Sequence, residues 1–159
     1  MPLYGSIGEE YRSQMTFLGD ITVPLAWRKL YCGIFKLEKN GVTVYFLDNE
    51  YYFKRPDLYG SYDDGERFAF FGSAVLHVLP HIDFIPDILH AHDWQSALSV
   101  IYLKTVFADN PEYNHIRTVF TIHNVAYQGK YDPAILGDVF GLDKKFYSIV
   151  ENDGCINLM

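Results

Sequence analysis

Pro86-Asp87-Ile88-Leu89-His90-Ala91-His92-Asp93-Trp94-Gln95 decides how this chain is read. An apolar strand, Ile88 to His92, ends in polar and aromatic groups that open a helix, and α/β proteins bind their ligands outside the carboxyl ends of such strands. A second segment, Arg117-Thr118-Val119-Phe120-Thr121-Ile122, repeats the design and ends in His123-Asn124, followed by Val125-Ala126-Tyr127-Gln128-Gly129. Two parallel strands with polar carboxyl ends form one cleft.

The helix between these strands is expected from Trp94 to about Phe107, with Asp93 as its cap and Ala97, Leu98, Ile101 and Val106 as its apolar face. An earlier helix is expected from near Asp63, with Glu66 three positions on as a capping box, running through Phe68, Phe71, Val75 and Val78 until Pro80 stops it. The order helix, strand, helix, strand implies a doubly wound, Rossmann-like α/β layer, because crossovers between parallel strands are right-handed and helical. Asn40-Gly41 reads as a two-residue type I′ turn joining Leu30–Leu37 to Val42–Leu47 in a β-hairpin. Residues 48–60 mix charges, turn formers and aromatics without a period, and read as a long surface loop. Asp132-Pro133 should begin a short helix, and Gly154 to Met159 reads as the first apolar turn of a helix. No obvious first strand opens the chain, and both ends look cut.

At 159 residues the chain suits one domain that buries roughly two thirds of its unfolded surface. Thirteen basic against 20 acidic residues give a net charge of -7, which opposes general attraction to nucleic acid or anionic membrane. Cys32 and Cys155 lie far apart without metal-type spacing, which points to a reducing compartment. With no signal peptide pattern and no membrane-length apolar run, the expectation is a cytoplasmic protein. Aromatic content of 17% fits a carbohydrate-facing surface or an aromatic core equally.

His90 and His92, two apart in a strand, share a face as metal ligands can, although no third ligand is evident; the alternative for His90 is a buried, hydrogen-bonded strand histidine. Asp93 either caps the helix or offers a carboxylate that accepts two sugar hydroxyls, while Trp94 beside it offers a flat face for a pyranose ring. His123-Asn124 ends a strand whose residues leave nothing for solvent, so the pair must meet a partner or a ligand. Gly129, after Tyr127-Gln128, would let backbone approach a ligand closely. Tyr51, Tyr52 and Arg55 read as loop anchors. There is no P-loop, no glycine-rich phosphate fingerprint after a strand, no nucleophile elbow and no acidic Mg²⁺ cluster in the sequence.

Taken together, His90-Ala91-His92-Asp93-Trp94-Gln95, Phe120-Thr121-Ile122-His123-Asn124-Val125-Ala126-Tyr127-Gln128-Gly129, and Tyr45-Phe46-Leu47-Asp48-Asn49 with Tyr52-Phe53 and Arg55-Pro56 resemble the bacterial glycogen synthase and plant starch synthase family, retaining glucosyltransferases of the GT-B fold. The likeness extends from Pro2-Leu3-Tyr4 to the segment Asn152 to Leu158. It implies transfer of glucose from ADP-glucose, or UDP-glucose in some members, to an α-1,4-glucan in a cleft between two Rossmann-like domains, with no cofactor and no metal. His123 would sit against the donor glucose, its side chain on a sugar hydroxyl and its backbone carbonyl near the anomeric carbon. Asp93, Trp94, His92, Gln95, Asn124, Tyr127 and Gln128 would line the sugar and acceptor site; Gln95 stands where many relatives carry His.

By the same resemblance, residues 1–159 correspond to part of the N-terminal domain, without the opening strand, its Lys-x-Gly-Gly loop, or the second domain. An inactive fragment is expected, and because the absent strand belongs at the centre of the sheet, open edges would favour a homo-oligomer. Two other readings are a non-catalytic glucan-binding module and a metal hydrolase built on His90 and His92.

Overall fold

In the computed structural model, which describes residues 1–159, Asn40 and Gly41 hold φ angles of +52° and +77°. That is the type I′ geometry expected of the pair. They join β2 (Arg28–Lys39) to β3 (Val42–Asp48), with Lys39 opposite Val42. A strand unread in the sequence, β1 (Thr16–Leu25), pairs antiparallel with the other side of β2, after a short helix α1 (Glu9–Arg12). Gly19 and Pro24 disguise β1. Both are tolerated because β1 is an edge strand of the β1-β2-β3 sheet, with a register irregularity between Phe17 and Gly19. Ile21, Val23 and Leu25 alternate inward and are buried.

Residues 48–60 are only partly loop. Asn49 accepts a hydrogen bond from the Tyr52 backbone and caps a one-turn helix, α2 (Glu50–Phe53), whose Tyr52 and Phe53 are buried. Four residues are too few to show a period, and so the sequence reading missed it. The segment beyond is pinned by Arg55, which donates to both carboxylate oxygens of Asp63 at 2.6 and 2.7 Å. That ion pair corrects the capping box. Asp63 makes no side-chain cap to α3 (Asp64–His77), and Glu66 instead accepts from the Tyr52 hydroxyl and pairs with Arg28 at 3.0 Å. Nor is α3 one-faced: Phe68, Ala69, Phe70, Ala74 and Leu76 are all buried, because the β1-β2-β3 sheet packs on one side and the next helix on the other.

After a 3₁₀ turn at Leu79–Ile82 that contains Pro80, β4 (Ile88–His92) leads into α4 (Asp93–Lys104), and the chain returns as β5 (Arg117–Thr121). β4 and β5 pair in parallel, His92 opposite Thr121. Ala97 and Leu98 of α4 are buried as expected, whereas Val106 lies beyond the helix and is exposed. β6 (Lys130–Tyr131), α5 (Ile135–Asp138), β7 (Glu151–Asn152) and β8 (Cys155–Asn157) complete the chain, with strand order β6-β8-β7. Asp132 does begin a turn, accepting from the Ala134 amide at 2.8 Å. The expected C-terminal helix is instead the strand β8, since three apolar-rich residues fit either state until a partner strand selects one.

The result is a mixed α/β fold in which one buried cluster joins the inner face of β1 and β2 to α3 and α4. Arg67, fully buried, lies between the rings of Phe53 and Phe68, and Phe68 meets Trp94 edge-on at 5.1 Å. The aromatic content is divided, with Tyr52, Phe53, Phe68, Phe70 and Phe140 in this core and Trp27, Tyr51, Tyr59, Tyr62 and Tyr127 exposed. No helix is long and apolar enough to cross a membrane.

Candidate active site

Strand alternation puts Ile88, His90 and His92 of β4 on one face, beside Arg117, Val119 and Thr121 of β5. This face is open: Ile88, His90, His92 and Val119 are exposed, while Ala91 points to the core. β5 therefore does not withhold its residues from solvent, contrary to the sequence reading. His123-Asn124 stands at the end of a half-exposed strand.

At the carboxyl end of β4 the backbone turns sharply. Asp93 has φ +55°, a left-handed conformation uncommon outside glycine, although Asp is among the residues that adopt it most readily. This turn carries its side chain away from α4, so Asp93 does not cap the helix, and the capping expectation is overturned. Its Oδ1 instead accepts the backbone N–H of His123 at 2.7 Å and that of Asn124 at 3.4 Å. The free start of α4 is managed by Ser96. Its hydroxyl accepts the His92 N–H and donates to the His92 carbonyl, both at 2.6 Å.

The histidines form a row. The His90 ring stacks on His92 with centroids 4.2 Å apart, and His92 faces His123 at 5.2 Å. His92 Nδ1 and His123 Nε2 are 2.9 Å apart, within hydrogen-bond distance, and His90 Nε2 lies 2.7 Å from Thr121 Oγ1. His90 is thus hydrogen-bonded but exposed, not the buried strand histidine of the alternative reading. No group of three or more His, Cys, Asp or Glu is arranged to hold a metal ion.

Trp94 is misjudged by its spacing. It is only 6% exposed, packed on Phe68 and near Tyr131. The backbone of Gly129 covers it so closely that a Cβ there would fall 2.8 Å from Trp94 Cε3. Trp94 therefore offers no open stacking face, and Gly129, with φ +59°, spends its close approach on the indole. Asn124 accepts the Ala126 amide at 2.9 Å and closes a local turn. Gln128 is committed internally, donating to the Val125 carbonyl and accepting from Asn157, each at 2.9 Å. Gln95 is half-buried at the start of α4.

Tyr127 is exposed and meets Tyr59 edge-on at 6.2 Å. The sequence reading did not single out Tyr59; its only signal was an aromatic in a segment anchored at both sides. Beside it, Trp94, Ala126, Tyr127, Gln128, Gly129 and Lys130 line an open cleft of about 320 Å³. Tyr52 is an anchor as expected, its hydroxyl held protonated well above the usual range by burial and then by Glu66. Cys32 is buried and its thiol pushed up to about 12, mainly by burial.

Helix-linked parallel strands whose carboxyl ends carry an exposed polar cluster define a Rossmann-like α/β ligand-binding layer. The starch synthase catalytic domain model matches residues 1–159, and the chain belongs to that family. It is 52% identical over 149 residues to a glycogen synthase of Desulforamulus reducens, covering 94% of this chain and 31% of that protein. To a glycogen synthase of Bacillus cereus strain Q1 it is 48% identical over 161 residues, covering 100% and 34%. The catalytic domain of starch synthase IV from Arabidopsis thaliana, solved with ADP and acarbose, superposes with a TM-score of 0.84 at 25% identity, over 99% of this chain and 34% of that one. The chain spans about a third of the length of these relatives.

Proposed function

We propose that residues 1–159 supply one half of a glycogen (starch) synthase site, in which glucose passes from ADP-glucose to the non-reducing end of an α-1,4-glucan with retention. The observation that carries this reading is the Asp93 carboxylate holding the backbone N–H of His123 at 2.7 Å, where two parallel strands end side by side. That bond fixes the His123 backbone, and with it the carbonyl that the family resemblance puts near the anomeric carbon. In the transfer, the bond from C1 to the diphosphate breaks and ADP leaves with the electron pair. The acceptor 4-hydroxyl oxygen then bonds to C1 on the same face and releases its proton. His123 holds a glucose hydroxyl; His92, Asp93, Gln95, Asn124 and Tyr127 surround the sugars. The ADP and acarbose in the Arabidopsis structure support both ligand classes.

Stabilising the departing diphosphate needs preorganised positive groups, usually the largest catalytic contribution. Lys130 is the one basic residue lining the cleft beside the site. Residues 1–159 alone therefore turn over no substrate, whereas a chimera that carries them in place of the matching segment of the Bacillus cereus enzyme does. Incorporation of labelled glucose from ADP-glucose into glycogen measures both. Steady synthesis by the 159 residues alone, or an inactive but folded chimera, contradicts the proposal.

The reading includes a cytoplasmic setting and self-association. β4 and β5 form a two-stranded sheet, so each has an edge without a strand partner, and open edges recruit strands. Light scattering at high concentration should show a dimer or larger species; a monomer would contradict this part. The exposed Tyr59 and Tyr127 favour a second reading, a non-catalytic glucan-binding module. Useful affinity for maltooligosaccharides, together with an inactive chimera, would select it.

A further inference from the structure

We infer that His92 is a positioning residue for His123, and that the contact between their rings makes the site's geometry conditional on protonation. The bearing of this contact on catalysis rests on the function proposed above.

His123 is held at two points by consecutive residues of one turn. Asp93 takes its backbone N–H, and His92 Nδ1 meets its ring at Nε2, 2.9 Å away. His92 is in turn held from behind. His90 stacks on it at 4.2 Å and is itself tied to Thr121 on the neighbouring strand at 2.7 Å, while Ser96 fixes the His92 backbone through both its N–H and its carbonyl. A ring stacked on one face, on a backbone pinned at both its N–H and its carbonyl, can aim a neighbouring group. Without His92, the backbone bond from Asp93 would still place the His123 main chain, but nothing else in the structure would orient its exposed imidazole.

The contact has a strict proton rule. A hydrogen bond between two imidazole nitrogens needs one N–H and one bare lone pair. The neutral pair satisfies it with matched tautomers, and the pair with one added proton satisfies it with the cationic ring as donor. A second added proton puts N–H groups on both facing nitrogens and like charges on both rings, so the contact must open. The other titratable and charged groups at hand are His90, stacked on His92; the Asp93 carboxylate, on the backbone of His123; and Arg117, further down the same sheet face. Arg117 and a charged His90 both add positive charge on this face, and so favour opening.

The test uses the 159-residue chain labelled with ¹⁵N-histidine, read by the scalar coupling between ring nitrogens across the hydrogen bond. A coupling between His92 Nδ1 and His123 Nε2 is expected while the rings are neutral. It should survive uptake of the first proton and vanish once both rings are doubly protonated. His92→Leu should shift the His123 ring nitrogens with the amide spectrum of the core unchanged. His92→Asn, whose amide reaches the Nδ1 position and offers either a donor or an acceptor, should restore them. Absence of the coupling at every pH, with identical His123 ring shifts in wild type, His92→Leu and His92→Asn, would overturn the inference. That result would leave the chimera assay untouched, so the two proposals fail separately.

Discussion

The antiparallel sheet β1-β2-β3 and the parallel pair β4-β5 solve opposite problems. In the first, alternate residues such as Ile21, Val23 and Leu25 are driven into a core shared with α3, and the ion pairs Arg28–Glu66 and Arg55–Asp63 tie down neighbouring segments. In the second, Ile88, His90, His92 and Val119 face outward, and the strand ends carry hydrogen bonds between side chains and backbone of different elements. Packing makes one region rigid by default. The other packs one face, through Ala91 and α4, and leaves its second face to named polar groups that reach across; there the candidate chemistry collects, as expected of groups delivered to loops by a rigid scaffold.

If this contrast is right, truncation in the packed region costs the most stability. Phe53→Ala, which empties a fully buried site, should lower unfolding free energy by about 3–5 kcal/mol, measured by chemical denaturation. Gly129→Ala should cost about 1–3 kcal/mol, from a strained positive φ and a clash with Trp94. A near-neutral result would mean that the indole is not held where described.

The Arg55–Asp63 pair sharpens the comparison through pH. The hydrogen bond and charge of Arg55 hold the Asp63 carboxyl below the ordinary value of 3.8. A depressed carboxyl contributes stability above its unfolded value, and loses it as pH falls through the folded one. Asp63→Asn should therefore destabilise by about 1.5–3 kcal/mol at neutral pH, and the difference from wild type should shrink below about pH 4. At the strand ends the effect should be local. Asp93→Ala should speed hydrogen exchange at the His123 and Asn124 amides by about tenfold or more, equivalent to losing roughly 1.4 kcal/mol, with core amides unchanged. The smallest effect belongs to Val106→Thr, within about 0.5 kcal/mol, because Val106 is exposed.

The sequence wrote the hairpin through Asn40-Gly41, where two positive φ angles leave few residue choices, and it wrote β4, α4 and β5 through apolar runs broken by polar clusters. It hid β1 behind Gly19 and Pro24, which only an edge position permits. It also hid α2, which is too short to show a period. It brought Asp93, His92 and His123 to one place, and in the structure they are neighbours. It could not give their roles, because Asp93 had a sufficient local explanation in helix capping. Only its left-handed backbone, stabilised by a partner on another strand, turns the carboxylate toward His123. Trp94 failed for a similar reason: spacing puts it beside Asp93, but the core on one side and Gly129 on the other decide which way the ring faces.

On the function proposed above, Asp93 and His123 act as one unit in a shared sugar site. A double-mutant cycle in the chimeric synthase tests it, with kcat/KM for ADP-glucose measured for Asp93→Ala, His123→Ala and the double variant. Each single change should cost about 100-fold or more, and the double variant should be within about tenfold of the worse single one, as residues acting together are non-additive. Losses that simply multiply, to roughly 10⁴-fold, would show two independent sites and contradict the account.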